Sequence, residues 1–165
     1  MTFYLHSRYS IFCGAALLTG LVSACKKEVS APAADANTSA LVTHPWRIVA
    51  FADTDISAKP PKTTNVFVSF PAYRLDDTYQ FKLDNSLVFD EGRLKAKSTD
   101  AQTTDGSWQF QTDQTRLTIT LAKAVALGTT GSTNSSTYSI LKLTADTLRI
   151  TNGSVSQTIV VTLAR

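Results

Sequence analysis

The chain has 165 residues, with 16 Lys and Arg against 13 Asp and Glu, and a formal net charge of +3 at pH 7. A chain of this length suits one domain with a hydrophobic core and is too short for two. Its basic residues are scattered and form no cluster interleaved with aromatic residues, which argues against a nucleic-acid partner.

The first 24 residues have the features of an export signal. Arg8 supplies the positive charge, and residues 11–22 form an apolar run of twelve, too short to span a bilayer as a stable helix. We therefore predict that residues 1–24 are a signal peptide and contribute nothing to the folded domain.

The apolar run closes at Leu21-Val22-Ser23-Ala24-Cys25, which resembles a bacterial lipobox. At such a site a lipoprotein signal peptidase cuts before a cysteine that carries a diacylglyceryl group. This predicts cleavage after Ala24 and lipidation of Cys25. The alternative is cleavage at the same bond by the ordinary signal peptidase, because Val22 and Ala24 also satisfy its small-residue rule. That alternative would leave a lone thiol in an oxidising compartment.

The predicted lipidation indicates both where the protein is located and that its partner is a membrane. Two or three acyl chains on one cysteine make anchoring stable, so we expect a protein attached to the outer membrane, on either its periplasmic or its exposed face. Arg8 is the only charged residue of the leader, so cleavage would leave 15 basic and 13 acidic side chains, a net charge of +2. Cys13 leaves with the leader and Cys25 carries lipid, so no disulfide is expected.

The next segment has the composition of a linker. Residues 26–40 are mostly Ala, Ser, Pro, Thr and Asn, and Val29 is their only large apolar residue before Ala40. Such a segment buries too little apolar surface to offset the entropy of ordering. We predict that residues 25–40 are the lipidated cysteine with a flexible tether, and that residues 41–165 are the folded domain.

Beyond the tether, apolar and polar residues alternate with a period of two, which is typical of half-buried strands. Turn residues separate the alternating runs, and no run has a helical period with caps. Eight short strands in up-and-down order favour an all-β fold, an eight-stranded antiparallel barrel without exposed edges. The predicted strands are residues 46–50, 79–83, 87–89, 108–111, 117–121, 138–143, 148–151 and 159–163.

Two connections are longer than turns. Residues 53–75 contain Lys59-Pro60-Pro61-Lys62 and an extended-looking stretch, residues 66–70. Residues 122–137 continue the preceding alternation through Val125 and Leu127 and then break at Gly128 to Ser132, which predicts a hairpin with an apolar shoulder and a mobile tip. Long connections in small domains are often functional, although a solvated loop lying on the barrel rim is the simpler interpretation of the second one.

The motifs along the domain resemble those of bacterial lipocalin-like lipoproteins, which have calycin-type barrels. His44-Pro45-Trp46 stands where lipocalins have Gly-x-Trp, and the match extends over about residues 41–163. The resemblance implies an eight-stranded barrel that holds a small apolar molecule. Further motifs of that family, in its order, are Asp76-Asp77-x-Tyr79-x-Phe81, Asp90-Glu91-Gly92, Gly106-x-Trp108-x-Phe110, Thr115-x-Leu117-x-Ile119-Thr120 and Tyr138-x-Ile140-x-x-Leu143-Thr144.

The candidate site is the barrel interior. An eight-stranded barrel is either filled by its own side chains or holds one small ligand, and period-two aromatics are compatible with both. Trp46 is predicted to be structural, closing one end. If a cavity exists, the residues predicted to line it are Tyr79, Phe81, Phe89, Trp108 and Phe110.

The sequence offers few residues that could catalyse a reaction or bind a metal ion. His44 is the only histidine after the leader, so a multi-histidine metal site cannot be built and a Ser-His-Asp triad is improbable. Asp76-Asp77 and Asp90-Glu91 are interpreted as solvated turns. We expect no enzyme activity, no cofactor and no resident metal, and a monomer. Two functions stay open: an anchored barrel that binds or carries a small hydrophobic molecule, and a packed barrel that acts through its surface as an interaction or inhibitor module in the envelope.

Overall fold

In the described part of the chain, nine β-strands make up a single antiparallel sheet, in which most chain neighbours are also spatial neighbours. The computed structural model describes residues 34–121, 127 and 135–165. In the sheet the order is β2-β1-β9-β8-β7-β6-β5-β4-β3. The elements are α1 Ala36–Val42, β1 Arg47–Asp55, β2 Lys62–Asn65, β3 Thr78–Phe81, β4 Ser86–Asp90, β5 Thr103–Phe110, β6 Arg116–Leu121, β7 Ser135–Leu143, β8 Thr147–Gly153 and β9 Gln157–Ala164, with short 3-10 turns at Phe67–Ser69 and Ala72–Arg74.

The all-β, up-and-down prediction is confirmed, but the strand count and the closure differ from expectation. Strand β2 lies inside the predicted long connection 53–75, and all four of its residues are exposed. Because alternation is recognised from apolar residues and β2 has none, the sequence pattern could not indicate it. The extended-looking stretch that follows contains a 3-10 turn, Phe67–Ser69.

The two ends of the sheet meet at one place. Trp46 and Tyr79 form an isolated antiparallel bridge, with two backbone hydrogen bonds of 2.9 Å between them. No continuous ladder joins β3 to β1 or β2 among the described strands. The predicted eight-stranded closed barrel is therefore corrected to a nine-stranded sheet that hydrogen bonds do not close.

The core lies on the inner face of this sheet, where the alternating residues point. Leu87 and Phe89 of β4 are buried, as are Leu117 of β6 and Leu163 of β9, and the residues between them are more exposed. Burying a Leu or Phe side chain stabilises the fold by about 1.5–3 kcal/mol. Alternation in sequence thus becomes a one-sided apolar sheet, as predicted.

Helix α1 lies partly within the stretch predicted to be a tether. The Asp35 carboxylate caps it by accepting a hydrogen bond from the Thr38 backbone N–H at 2.9 Å. Leu41 is wholly buried and so attaches the helix to the core. Within the described residues, no helix has the length and apolarity needed to cross a lipid bilayer.

The sheet has two different ends. We call one the α1 end, because Asn37 of α1 donates to the Gln114 side chain in the β5–β6 turn at 2.8 Å. It also carries the β3–β4 and β7–β8 turns. We call the other the loop end. Its described turns are residues 56–61, 91–102 and 154–156, whereas residues 66–77 cross from the middle of β1 to the start of β3, because β2 and β3 run in the same direction. Residues 33–165 form one compact unit with its own core.

Candidate functional site

The structure brings the five predicted pocket residues together on the inner face of β3, β4 and β5. Tyr79 and Phe89, which are paired across β3 and β4, have ring centroids 5.2 Å apart. The ring of Trp108 meets Phe81 edge to face at 5.8 Å and Phe110 at 5.4 Å. Four of the five are buried and Phe110 is half-buried. Such aromatic pairs add about 0.5–1.5 kcal/mol beyond the burial of their area.

These rings pack against aliphatic side chains that are also fully buried. Leu87, Leu117, Leu148 and Leu163 have no exposed surface. In the part of the chain that the structure describes, no ligand cavity is found inside the sheet. The interior observed is a packed core.

One polar atom interrupts this apolar interior. The Tyr79 hydroxyl is buried and has no hydrogen-bond partner among the described residues. Burial raises the pKa of Tyr79 far above its ordinary value, and the charge of Asp77 raises it further. Burial also raises the pKa of Tyr138 to about 12. Both phenols are therefore protonated at neutral pH, so the Tyr79 hydroxyl is an unused hydrogen-bond donor.

Trp46 joins the helix to both neighbouring strands. Its indole is wholly buried, and its Nε1 donates to the Leu41 carbonyl at 2.7 Å. The ring lies 4.4 Å from that of His44, whose Nε2 is 2.5 Å from the Ala145 carbonyl oxygen. With the backbone bridge to Tyr79, these contacts place Trp46 at the α1 end of the core.

The carboxylates of the β2–β3 and β4–β5 connections form a structural joint. Asp76 accepts hydrogen bonds from the backbone N–H groups of Arg93 and Leu94 at 2.7 and 3.2 Å. Gly92 has a left-handed φ of +64°, and a Cβ there would come within 2.5 Å of the Asp76 carboxylate. The joint therefore depends on a glycine at this position.

The predicted solvated role of these carboxylates is wrong for two of them. Asp77 and Glu91 are only 6% and 5% exposed. The sequence pattern missed this because both stand beside turn residues, whereas the packing of two connections removes them from water. Among the described residues, no group of three acidic, histidine or cysteine side chains is arranged to hold a metal ion.

A second aromatic group, missed from the sequence, joins the middle of β1 to the β2–β3 connection. Phe70 is 5.5 Å from both Phe51 and Phe67, measured between ring centroids, and the Arg74 guanidinium lies 4.2 Å from the Phe70 ring centroid. The available signal was the presence of two phenylalanines in a Pro-flanked connection. Their role depends on a chain reversal that no periodicity predicts.

The structure also describes two open clefts on the surface. One, of about 450 Å³, is polar and includes Asp53, Asp55 and Lys62 in its lining, and the other, of about 500 Å³, is lined by residues 109–113. Neither is lined by the four buried aromatic residues of the candidate site. Cys25, the predicted lipidation site, lies outside the described residues. Of the predicted 122–137 hairpin, the structure describes Leu127, which is buried, and residues 135–137, which begin β7.

No protein-family model matches the chain, and no curated protein matches it. Its structure is similar to that of a lipocalin-like protein from Bacteroides uniformis, with a TM-score of 0.45 and 11% identity over 76% of this chain and 98% of that one. It is also similar to an uncharacterized protein from Bacteroides eggerthii, with a TM-score of 0.43 and 14% identity over 73% and 97% of the two chains. A third similar structure is a DUF4847 family protein from Bacteroides vulgatus, with a TM-score of 0.45 and 15% identity over 75% and 93%.

Proposed function

We propose that this chain is a lipoprotein anchored to the outer membrane through Cys25, and that its lipocalin-like sheet binds or carries a small hydrophobic molecule in the cell envelope. The observation that carries the binding proposal is the buried Tyr79 hydroxyl, an unused donor in an aromatic interior. Ligand sites of this kind are mostly apolar, with a small number of polar groups that fix the orientation of the ligand.

The position of Tyr79 supports the proposal further. Its backbone makes the single bridge by which the two ends of the sheet meet, next to Trp46. Two sheet ends that are joined by one pair of residues separate at a lower free-energy cost than ends joined by a full strand ladder, because fewer hydrogen bonds must be broken. Separation of the two ends would admit an apolar molecule beside Phe89 and Phe81. The Tyr79 hydroxyl could then donate a hydrogen bond to an acceptor group of that molecule.

Ligand binding is tested by titrating the protein with an environment-sensitive apolar dye at low and high salt. We expect binding that is insensitive to salt, because it comes from apolar surface removed from water. Affinity should fall in Phe81→Ala and in Tyr79→Phe, and it should be unchanged in the matched control Tyr73→Phe, whose side chain is exposed. Native mass spectrometry of protein taken from its own envelope would identify a co-purifying ligand. A folded wild type that binds no dye and carries no ligand would contradict the proposal.

Anchoring has its own test. Replacing Cys25 with Ser should abolish the incorporation of labelled fatty acid and change the cell fraction in which the protein is found. Cys13→Ser, which alters the other cysteine of the leader, is the matched control and should still incorporate the label. Retention of the label in Cys25→Ser would contradict lipidation at this position.

The second candidate function is an interaction or inhibitor module in the envelope without a ligand cavity. The packed interior favours it, since Tyr79, Phe81 and Phe89 already fill the space that a ligand would need. The two candidates differ in the dye titration. No binding by a well-folded wild type, together with an envelope protein recovered by cross-linking, would favour the module.

A further inference from the structure

The inner face of β1 changes from apolar to charged towards its carboxyl end. Phe51 is buried in the core, and Asp53 and Asp55 follow it at the spacing of two that keeps side chains on one face of a strand. The pairing of β1 with β2 sets Thr64 opposite Asp53 and Lys62 opposite Asp55. Side chains of both charges therefore share this part of the inner face.

These four polar side chains line the open cleft of about 450 Å³. The rest of its lining comes from two turns of the loop end and from the start of β9, and consists of Ser57, Ser156 and Gln157. Small-molecule sites have volumes of about 300–1,000 Å³, so the cleft is large enough for one. Every lining residue has a polar side chain, so the cleft suits a polar ligand.

Asp53 has hydrogen-bonding capacity that the protein leaves unused. Its Oδ2 accepts from the Gln157 side-chain N–H at 2.6 Å, whereas its Oδ1 is buried and accepts from no group among the described residues. An ionised carboxylate can accept about four hydrogen bonds. A buried acceptor without a donor is unfavourable, and a ligand that brought an N–H group would remove this penalty. Because Gln157 lines the same cleft, such a group can take the place of its amide beside Asp53.

Asp55, by contrast, is already used by the protein. Its Oδ1 accepts from the backbone N–H groups of Ser57 and Ala58 at 2.9 and 3.2 Å and from the Ser57 hydroxyl at 2.6 Å. Hydrogen bonds from Ser57 lower the pKa of Asp55, and the nearby charge of Lys62 lowers it further. Asp55 therefore holds the turn that follows β1 and stays ionised at neutral pH, which leaves Asp53 as the carboxylate that can take a ligand.

Lys62 and Thr64 supply the opposite kind of contact. Within the described part of the chain, neither side chain forms a hydrogen bond or an ion pair, although Lys62 stands opposite a carboxylate. Lys62 is a diagonal neighbour of Asp53 across the two strands, and such neighbours are about 7–8 Å apart. A cation at Asp53 and an anion at Lys62 can therefore belong to one small molecule, with the Thr64 hydroxyl between them.

We propose that this cleft binds a small zwitterion, an α-amino acid, with its ammonium group at Asp53 and its carboxylate at Lys62. Hydrogen bonds between charged groups are about twice as strong as those between neutral groups. A ligand with only a positive charge would be repelled by Lys62, and one with only a negative charge by the two carboxylates. The cleft shares no lining residue with the aromatic site, so the inference holds whether or not the interior takes a hydrophobic molecule.

The test is a titration of the purified protein with L-alanine, followed by calorimetry and by the NMR signals of the Gln157 side-chain amide. Ethylamine and propionate are the matched ligands, since each keeps one of the two charged groups of L-alanine. We expect L-alanine to shift these signals and to bind at least about tenfold more tightly than either analogue, with an affinity that falls as salt rises. L-alanine should also raise the urea midpoint, because it binds the native state.

Two substitutions test the assigned charged contacts. Asp53→Asn and Lys62→Gln should each weaken the binding of L-alanine about tenfold or more, because each removes the partner of one charged group. The matched controls are Asp105→Asn on β5 and Lys82→Gln in the β3–β4 turn, at exposed positions outside the cleft. Both controls should bind L-alanine as the parent does.

Strand β2 offers a control within one element. Thr64→Val should weaken binding several-fold, whereas Thr63→Val, whose hydroxyl lies 3.0 Å from that of Thr54 on the opposite face, should not. All residues of β2 are exposed, so its variants should unfold at the midpoint of the parent without ligand, which circular dichroism checks. No binding of L-alanine by the parent, equal binding of L-alanine and either analogue, or equal losses in the two threonine variants would overturn the proposal.

Discussion

Trp46 connects more parts of this fold than its position at the start of a strand indicates. Its Nε1 holds the end of α1, its ring packs on His44, and its backbone bridges to Tyr79 of β3. The loss of the ring would remove buried apolar area and leave the Leu41 carbonyl without its donor. Both effects lower the free energy of unfolding.

Trp46→Ala should therefore lower the free energy of unfolding by about 3–5 kcal/mol. Urea unfolding followed by circular dichroism measures this, and Arg47→Ala, at an exposed neighbouring position, is the control and should change little. A midpoint for Trp46→Ala close to that of the wild type would contradict the packing described around the indole.

For Tyr79 we expect that a substitution does not lower the free energy of unfolding. Its hydroxyl is buried without a partner, and leaving such a group unsatisfied costs about 1–3 kcal/mol. Tyr79→Phe keeps the ring against Phe89 and removes the unsatisfied group, so we expect unchanged or increased stability in urea. Tyr138→Phe is the comparison, at the other buried tyrosine. A loss of stability of a kcal/mol or more in Tyr79→Phe would show that the hydroxyl is satisfied in solution.

At the scale of elements, side-chain carboxylates accept hydrogen bonds from the backbone of a connection between strands. The clearest case is the contact of Asp76 with the turn that follows β4, where Gly92 leaves the space for the carboxylate. Asp90 supports the same turn by accepting from the Gly92 N–H at 2.9 Å. One turn therefore depends on two carboxylates and one glycine.

Gly92→Ala should break this joint. The new Cβ would overlap the Asp76 carboxylate, and alanine is strained at a φ of +64°, which costs about 1–3 kcal/mol. We expect faster hydrogen exchange at the amides of Arg93 and Leu94, because Asp76 no longer accepts from them. Ser98→Ala, at an exposed position of the same connection, is the control. Unchanged protection of both amides in Gly92→Ala would contradict the joint.

At the scale of the whole molecule, the two buried tyrosines make stability depend on alkaline pH. Burial raises the pKa of Tyr138 to about 12 and that of Tyr79 further, while tyrosines of the unfolded chain titrate near their ordinary value of about 10. Above that value the native state binds more protons than the unfolded state. Stability must then fall as the pH rises, by the linkage relation.

The expected outcome is a urea midpoint that decreases steadily as the pH rises from about 10 to about 12. Tyr138→Phe should make this decrease shallower, since one group with a raised pKa is removed. Absorbance at the phenolate band should show Tyr79 and Tyr138 titrating only as the protein unfolds. Titration of these two tyrosines before unfolding would show that the interior is open to water.

Most strands were predictable because the signal that makes a strand is local. In β6 the buried residues Leu117, Ile119 and Leu121 alternate with Thr118 and Thr120, and this pattern fixes both the strand and its inner face. Strand β2 has no apolar residue, so only its pairing with β1 defines it. Helix α1 has a recognisable cap in Asp35 but a single fully buried apolar residue, Leu41, which is too little for a helical period.

The residues of the candidate site could be predicted from the sequence, but whether they enclose a cavity could not. Alternation alone places Tyr79, Phe81, Phe89, Trp108 and Phe110 on the inner face, and the structure has them there. Whether their rings leave a space depends on how the strands on either side approach them. That approach is decided by contacts between residues far apart in the chain, such as Trp108 with Phe81.

By itself, the sequence determined an all-β chain of antiparallel strands and the face that each strand buries, while the leader and the lipid anchor at Cys25 stay predictions. For the described residues, the tertiary structure alone decided that the sheet has a ninth strand, that an isolated bridge between Trp46 and Tyr79 links its two ends, and that Asp77 is buried. The physical reason is that periodicity reports the surroundings of a residue along one strand, whereas closure, burial of charge and the grouping of loops depend on segments that only folding brings together.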